Sequence, residues 1–564
     1  MPIGFFRTSN RFNLFSHKSL AGGRTWKFAL AAALAFFLFP LPSFANNLTV
    51  SNTVLVDQNT GADTVDIQFD ASWENSWRDA TNYDAVWVFA KYCTENCSTT
   101  GAWKHATLKT SGTNPTGFSR GTGTTLDIVV PSDKKGAFLQ RSANGTGSVS
   151  TSDIEFVWDY GTDGVSDNDA VGANTRVRVF GIEMVYVPEG DFYAGDGSSA
   201  AGFTASENVT PWHITNEAGY GDGYYSGAGS ANYFSDWFWY VTGGNEGEDG
   251  SGAEFLLPTA FPKGYKAFYT MKYEISQGQY RDFLNSLSRS QQPFRVVANI
   301  ASDSPENKYV MSNTATPGGR NSIAAPTSGN GTTNRIIFGC DLNNNGTFNE
   351  SSDGEWIAMN YLTWMDVCAY ADWAALRPMT ELEFEKASRG AGVTPVAGEY
   401  VWGTTTKAPV TALVNSGSDN EASATLGANY NAEMVFSGPV RGGMFSTATS
   451  TREQAGAGYY GALDLSGNVS EQTVGVGNSA GRVFTGSHGD GVLGSIYASA
   501  TNGDWPGYNP GNGCEVTGAA GAGERGGSYA YNVEEPPTSY RLRAVSSYAG
   551  RLGQCGGRAV RTAE

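Results

Sequence analysis

Over the first third of the chain, apolar and polar residues alternate in steps of two. Val65, Ile67, Phe69, Ala71 and Trp73 are separated by mostly polar positions, as are Ile154, Phe156, Trp158 and Tyr160, and then Val177 and Val179. A two-residue period turns one face to a core and the other to water, so these runs predict β-strands. Val86-Trp87-Val88-Phe89 is apolar without a break and predicts a central strand. Turns rich in Gly, Ser, Thr and Asn separate the runs, and no helical period appears. The expectation for 46–181 is an antiparallel immunoglobulin-like β-sandwich. Gly161 to Asn174 is its last turn or linker before the final strand.

Past Glu183 the texture changes. Ser276-x-x-Gln279 is a capping box, followed by Tyr280, Phe283, Leu284 and Leu287 at helical spacing. Thr363 precedes a helix whose apolar face is Trp364, Val367, Cys368 and Ala371. Thr380-x-x-Glu383 opens a third, with Phe384 and Ala387 inward. From Gly390 onward, loops and short strands dense in Gly are expected. The chain therefore reads as mainly β with an α+β second part, divided at 181/182.

The beginning of the chain changes what this fold is used for. Residues 1–45 read as an export signal: Arg7, Arg11, Lys18, Arg24 and Lys27 precede an apolar run from Phe28 to Phe39, and Ser43-Phe44-Ala45 is a small-x-small cleavage site. The run is shorter than the ~20 residues of a membrane span and ends in Pro40 and Pro42, so cleavage is expected and no membrane span remains. The expected location is secreted: extracellular, on the cell surface or periplasmic. The formal net charge is −18, and loss of the basic leader makes the rest more acidic. No basic stripe with interleaved aromatics exists, which excludes nucleic acid and suits cation binding. Six cysteines in an exported chain read as three disulfides with fifteen possible pairings. Cys93 and Cys97 are close enough to clip one hairpin.

Five blocks beyond residue 182 carry a resemblance. They are Met184-Val-Tyr-Val-Pro-Glu-Gly-Asp-Phe, Tyr269-Thr-Met-Lys-Tyr-Glu-Ile-Ser, Trp364-Met-Asp with Ala371-Asp-Trp and Leu376-Arg-Pro-Met-Thr-Glu-Leu-Glu-Phe-Glu-Lys-Ala-Ser-Arg-Gly, Gly461-Ala-Leu-Asp-Leu-Ser-Gly-Asn-Val-Ser-Glu, and Arg525-Gly-Gly-Ser-Tyr. In this order they resemble the formylglycine-generating enzyme (sulfatase-modifying factor) family, which implies an elaborated C-type-lectin-like domain over 182–564. Active members of that family carry two cysteines just past the Gly-Gly-Ser element, where thiolates bind copper. The corresponding positions here are Tyr531 and Ser539, so that chemistry has no carrier. A related branch holds iron through histidines on a helical domain. His105, His213 and His488 are scattered and match no such spacing. Copper and iron are therefore not expected. The resemblance also implies a bridge between the middle helix and the C-terminal strand, here shifted to Cys368–Cys555, which leaves Cys340–Cys514 as the third pair.

Calcium is the cofactor expected, in a structural role. Asp464-x-x-Gly467-x-Val469-x-Glu471 matches a calcium site of the family: carboxylates and backbone carbonyls supply hard oxygen ligands. A second family site would use Asn429 and the Tyr430 carbonyl. Independently of the family, Asp341-x-Asn343-x-Asn345-Gly346-x-x-Asn349 reads like the first half of an EF-hand loop. It lacks the closing glutamate, and an Asx-rich turn is the alternative.

These readings favour a non-catalytic binding or cell-surface interaction protein whose partner is a peptide, a glycan or a surface protein. Its ligand face would be built from Ser528, Tyr529, Tyr531, Ser539, Tyr540 and Arg543, near Trp505 and His488, since rings beside a guanidinium suit stacking on a sugar or peptide. The alternative is an enzyme of the same family acting on exported proteins with altered chemistry. A third possibility is a structural part of a surface assembly.

Overall fold

A computed structural model describes residues 47–197, 203–204, 211–218, 220–226, 239–241, 254–530, 537–545 and 550–564. The expected export signal lies outside the described residues. The described residues fall in one compact unit. Among them no helix is long and apolar enough to cross a membrane.

Two sheets define the first half. One has four strands in the order Thr49–Asn59, Thr64–Arg78, Gly145–Trp158 and Ser119–Gly123. The other runs through Gly112–Thr113, Leu126–Val130, Ala137–Arg141, Asp84–Cys93, Arg176–Val187, Phe268–Met271, Ala559–Thr562 and Arg377–Pro378. The alternating run behaves as its period requires: Val65, Ile67, Phe69, Ala71 and Trp73 are buried, facing Val86, Val88, Leu126, Ile128 and Leu139 in one core. This two-layer arrangement is compatible with an immunoglobulin-like sandwich.

The unbroken apolar strand explains how the two halves join. Every residue of Asp84–Cys93 is buried. Val86, Val88, Ala90 and Tyr92 enter the sandwich core, whereas Ala85, Trp87 and Phe89 enter a second core built from the helices. A strand apolar on both faces can only sit between two packed layers. Arg176–Val187 pairs antiparallel with this strand and, through Met184 to Val187, with Phe268–Met271. The expected division at 181/182 thus falls within one continuous strand. Trp87 Nε1 donates to the Ala374 carbonyl at 2.8 Å, tying the sheet to the end of a helix.

The three capped helices form as the sequence predicts, over Gln277–Leu284, Trp364–Trp373 and Glu381–Arg389. Each N-cap hydroxyl, from Ser276, Thr363 and Thr380, accepts a backbone N–H, and each box is closed by Gln279, Asp366 or Glu383. Beyond the third helix the chain is loop-rich, with a small sheet of Ala522–Arg525, Ser470–Val474 and Cys555–Gly556.

The Cys93–Cys97 disulfide is present, with its Cα atoms 5.6 Å apart. The expected Cys368–Cys555 and Cys340–Cys514 bridges are corrected: all four cysteines are free. Cys368 points into the helical core, whereas the Cys555 thiol donates to Glu524 Oε1 at 3.2 Å. Cys340 is buried, whereas Cys514 is exposed in a left-handed turn (φ +57°) with its thiol directed at the Pro510 carbonyl. A family bridge cannot be moved along both elements when the side chains face different environments. Burial pushes the Cys340 thiol up to about 12, and pushes Cys368 and Cys555 up as well. Thiol titration without reductant is therefore expected to find one fast-reacting group in the native protein, Cys514, and four after unfolding. Two thiols on unfolding would restore one of the bridges.

Candidate functional site

The Arg525-Gly-Gly-Ser element leaves the Ala522–Arg525 strand through a tight turn. Gly526 and Gly527 have φ of +82° and +65°, and a Cβ on Gly526 would lie 2.5 Å from the Leu465 carbonyl oxygen. Only glycine fits there. The turn delivers Ser528, fully buried, whose Oγ accepts the Ala530 N–H at 3.2 Å.

Beneath this element lies a fully buried ionic network. Arg525 donates to Glu381 Oε2 at 2.9 Å and to Glu385 Oε1 at 2.7 Å. Arg541 holds Glu381 through both carboxylate oxygens, each at 3.0 Å. Arg389 contacts Glu399 at 2.5 Å and Glu385 at 3.1 Å. Three carboxylates thus meet three guanidinium groups, the condition under which buried charge is tolerated. Burial works to raise the Glu381 carboxyl, yet Arg541 and Arg525 outweigh it and hold it below the usual glutamate range. The remaining Arg389 Nη2 donates to Ser539 Oγ at 2.7 Å. Ser539 is thus a buried serine, oriented by the network.

The other expected ligand-face residues are divided. Tyr531 lies outside the described residues. Tyr529 is 7% exposed, and its hydroxyl donates to the Gly553 carbonyl at 3.0 Å. Tyr540 and Arg543 are half-buried. Trp505 belongs to the helical core, where Nε1 donates to Ser487 O at 3.0 Å. His488 Nε2 accepts the Thr562 N–H at 3.0 Å, and burial holds this ring well below its usual pKa, hence neutral. Trp505 and His488 are joined through the Ser487 neighbourhood, whereas Tyr529 sits on the Asn468 turn, its N–H donating to Asn468 O at 2.8 Å. His105 is buried against Lys135 O, and His213 pairs with Asp191 at 2.7 Å, so the three histidines make separate contacts.

The calcium expectations meet three different environments. Asp464 and Glu471 are buried; Asp464 Oδ2 accepts the Gly443 N–H at 2.5 Å and Glu471 Oε1 accepts from Arg558 Nε at 2.7 Å. Glu471 Oε2 is buried without a hydrogen-bond partner. Burial pushes Glu471 up to about 7, and raises Asp464 and the neighbouring Glu274 too. Gly467 has φ +87°, the bend such a turn requires. Asn429, by contrast, spends its side chain on the Ala408 N–H and the Glu453 carbonyl, while the Tyr430 carbonyl accepts the Val410 N–H. In the remaining loop Asp341, Asn343 and Asn345 accept backbone N–H groups in Asx turns, Asn349 accepts the Cys340 N–H, and the Lys308 ammonium contacts Asp341. An ammonium from a residue distant in sequence thus already stands against that acid. Among the described residues no group of three or more His, Cys, Asp or Glu side chains could hold a metal ion.

The ionic network escaped the reading of the sequence, although Glu381, Glu385 and Arg389 share one helix face at i, i+4 and i+8. What the sequence conceals is that Arg525 and Arg541 arrive from distant loops. Arg525→Met, which leaves Glu381 and Glu385 short of a counter-charge, is expected to cost about 3–5 kcal/mol in denaturant unfolding. A cost under about 1 kcal/mol, the range of an exposed pair, would contradict this description.

The Sulfatase-modifying factor enzyme 1-like domain family matches residues 240–553. No curated protein matches the chain. Among solved structures, Treponema denticola variable protein 1 aligns at 11% identity over 68% of this chain and 96% of its own, with a TM-score of 0.30. The family match spans more than half of the sequence and contains the capped helices, the Asp464–Glu471 turn and the Arg525-Gly-Gly-Ser element, and by it the chain belongs to the sulfatase-modifying factor enzyme 1-like family.

Proposed function

We propose that this chain is an exported binding protein that keeps the family scaffold without its thiol chemistry. What supports this reading is Ser539: a hydroxyl bonded to Arg389 at 2.7 Å stands where the resemblance places the second cysteine, and the sequence holds no cysteine between Cys514 and Cys555. A hydroxyl is neither a soft copper ligand nor a redox centre. A contact face lies alongside. Tyr529 abuts Tyr361, which lines an open cavity of about 420 Å³ with Phe294, Arg295, Met311 and Arg551. Phe294 and Val297 are exposed there at 41% and 43%, and Arg295 and Arg551 both hold Asp366. Exposed apolar groups beside guanidinium groups suit a peptide or glycan. The partner is such a ligand or a surface protein bearing one.

Calcium belongs to this proposal at one place. Asp464, the Gly467 and Val469 carbonyls and Glu471 would hold it, and the unpartnered Glu471 oxygen and the buried Asp464 carboxylate are what support a divalent cation there. Its role there is to fix the turn on which Tyr529 rests.

Two experiments check the proposal. Incubating the exported chain with copper and cysteinyl peptides should yield no aldehyde, while peptide and glycan arrays should show binding that Tyr361→Ala weakens; aldehyde formation would support the enzymatic alternative instead. Millimolar calcium should raise the melting temperature of chelator-treated protein by several degrees, and Asp464→Asn should abolish the increment. Equal melting with calcium and with chelator would remove calcium from the account.

A further inference from the structure

We propose that Lys272 and Asp84 condense to an intramolecular amide cross-link, with Glu183 as the proton carrier. The three side chains come from neighbouring strands of one sheet. Asp84 opens the Asp84–Cys93 strand, Glu183 lies in Arg176–Val187, and Lys272 directly follows Phe268–Met271. The sheet holds them in register: Asp84 is opposite Val185, and the Lys272 N–H donates to the Glu183 carbonyl at 2.9 Å. Lys272 Nζ stands 2.9 Å from Glu183 Oε2 and 3.7 Å from Asp84 Oδ2. The second gap is close to the ~3–3.5 Å of near-attack geometry. All three are buried, with Asp84 1%, Lys272 3% and Glu183 4% exposed.

Three features set this cluster apart from an ordinary buried ion pair. The charges do not match: two carboxyl groups face one ammonium, and a buried charge without a partner is costly, so one acid is held neutral. Burial raises both Asp84 and Glu183 accordingly. Asp84 is also polarised as an electrophile. Its Oδ1 accepts from Ser76 Oγ at 2.8 Å and from the Trp77 N–H at 3.0 Å, while Trp73 Nε1 donates to Oδ2 at 3.1 Å. The two donors on Oδ1 stand where negative charge develops when Cγ is attacked. The amine, finally, is walled by rings, with Nζ 5.2 Å from the Trp77 centroid and 5.4 Å from that of Tyr273. Such a wall keeps out the water that would reverse the condensation.

The step balances without an outside reagent. Burial works against the Lys272 charge, yet Glu183, Tyr273 and Asp84 outweigh it and hold the amine as an ammonium. Asp84 reacts as the neutral acid and Glu183 as the carboxylate. Lys272 first passes a proton to Glu183. The freed Nζ electron pair then forms the bond to Asp84 Cγ, and the carbonyl pair moves to Oδ1. A second amine proton reaches Oδ2 by way of Glu183. The Cγ–Oδ2 bond breaks, its pair leaves with water, and the Oδ1 pair restores the carbonyl. The products are an amide that keeps the third amine proton, one water and the neutral Glu183 acid; nothing is oxidised or reduced. An uncharged amide replaces a buried ion pair, which removes its desolvation cost. The bond ties strands distant in sequence as a disulfide does, without an oxidant. It is independent of the Tyr361 face and of calcium.

Peptide mass spectrometry of the full chain, denatured, reduced and digested with trypsin, reads the bond directly. The parent should yield one branched peptide that joins the Asp84 and Lys272 segments. It should be lighter than their sum by one water and uncut at Lys272. Lys272→Arg, which keeps the positive charge without the amine nucleophile, should lose the branched peptide. Glu183→Gln keeps the shape but cannot carry the proton, so its linked fraction should fall about tenfold or more. Circular dichroism on both variants separates a lost reaction from a lost fold, and the parent measurement stands whether or not they fold. Separate, unmodified Asp84 and Lys272 peptides from the parent would overturn the proposal. So would a link undiminished in Glu183→Gln.

Discussion

The interaction on which the rest of this structure depends is the buried balance of charge under the Gly-Gly-Ser turn. Six ionised side chains have been removed from water, and desolvation of each costs several kcal/mol unless a partner of opposite sign is in place. Glu381, Glu385 and Arg389 come from one helix, Arg525 from a strand end, Arg541 from the loop after it and Glu399 from a turn. Their mutual satisfaction fixes loops that carry little other regular structure. Arg525 also donates to the Thr538 carbonyl at 2.8 Å, so this segment is pinned at Thr538 as well as at Ser539. The network itself is built from carboxylates and guanidinium groups and does not require sulfur.

A second constraint acts on the sheet. The Asp84–Cys93 strand has an apolar face for each of two cores, and burying both requires a layer on either side. Lys272 reinforces this from within, lying 2.9 Å from Glu183 and 3.7 Å from Asp84 on neighbouring strands. The C-terminal strand Ala559–Thr562 then joins the same sheet beside Phe268–Met271. The last strand of the described chain thereby shares a sheet with Asp84–Cys93 from its first half.

Local signals proved the most legible. The alternation from Val65 to Trp73, the unbroken run at Val86 and the three hydroxyl caps each reflect a rule acting within a dozen residues, and each element appears where that rule places it. The family blocks led to the Arg525-Gly-Gly-Ser turn and to Ser539 for the same reason. Cysteine pairing was not legible, because it depends on where side chains point after long loops have folded: Cys368 and Cys555 lie on the expected elements but face a packed core and a carboxylate. The Asp341 loop shows the converse. Its oxygens have the spacing of a cation site, yet Lys308, distant in sequence, supplies the positive charge. The ionic network was half visible, as an acidic helix face, and half hidden in arginines contributed by remote loops.

The central claim is that the thiol positions of the family have passed to residues that cannot hold copper. A competition titration of Cu(I) against a chromophoric chelator tests it most directly, on the full chain and on its Cys514→Ser variant, which lacks the one exposed free thiol among the described residues. The account predicts that any copper retained by the parent is lost in Cys514→Ser. Stoichiometric copper held by that variant, and released by changes at Tyr531 or Ser539, would contradict it.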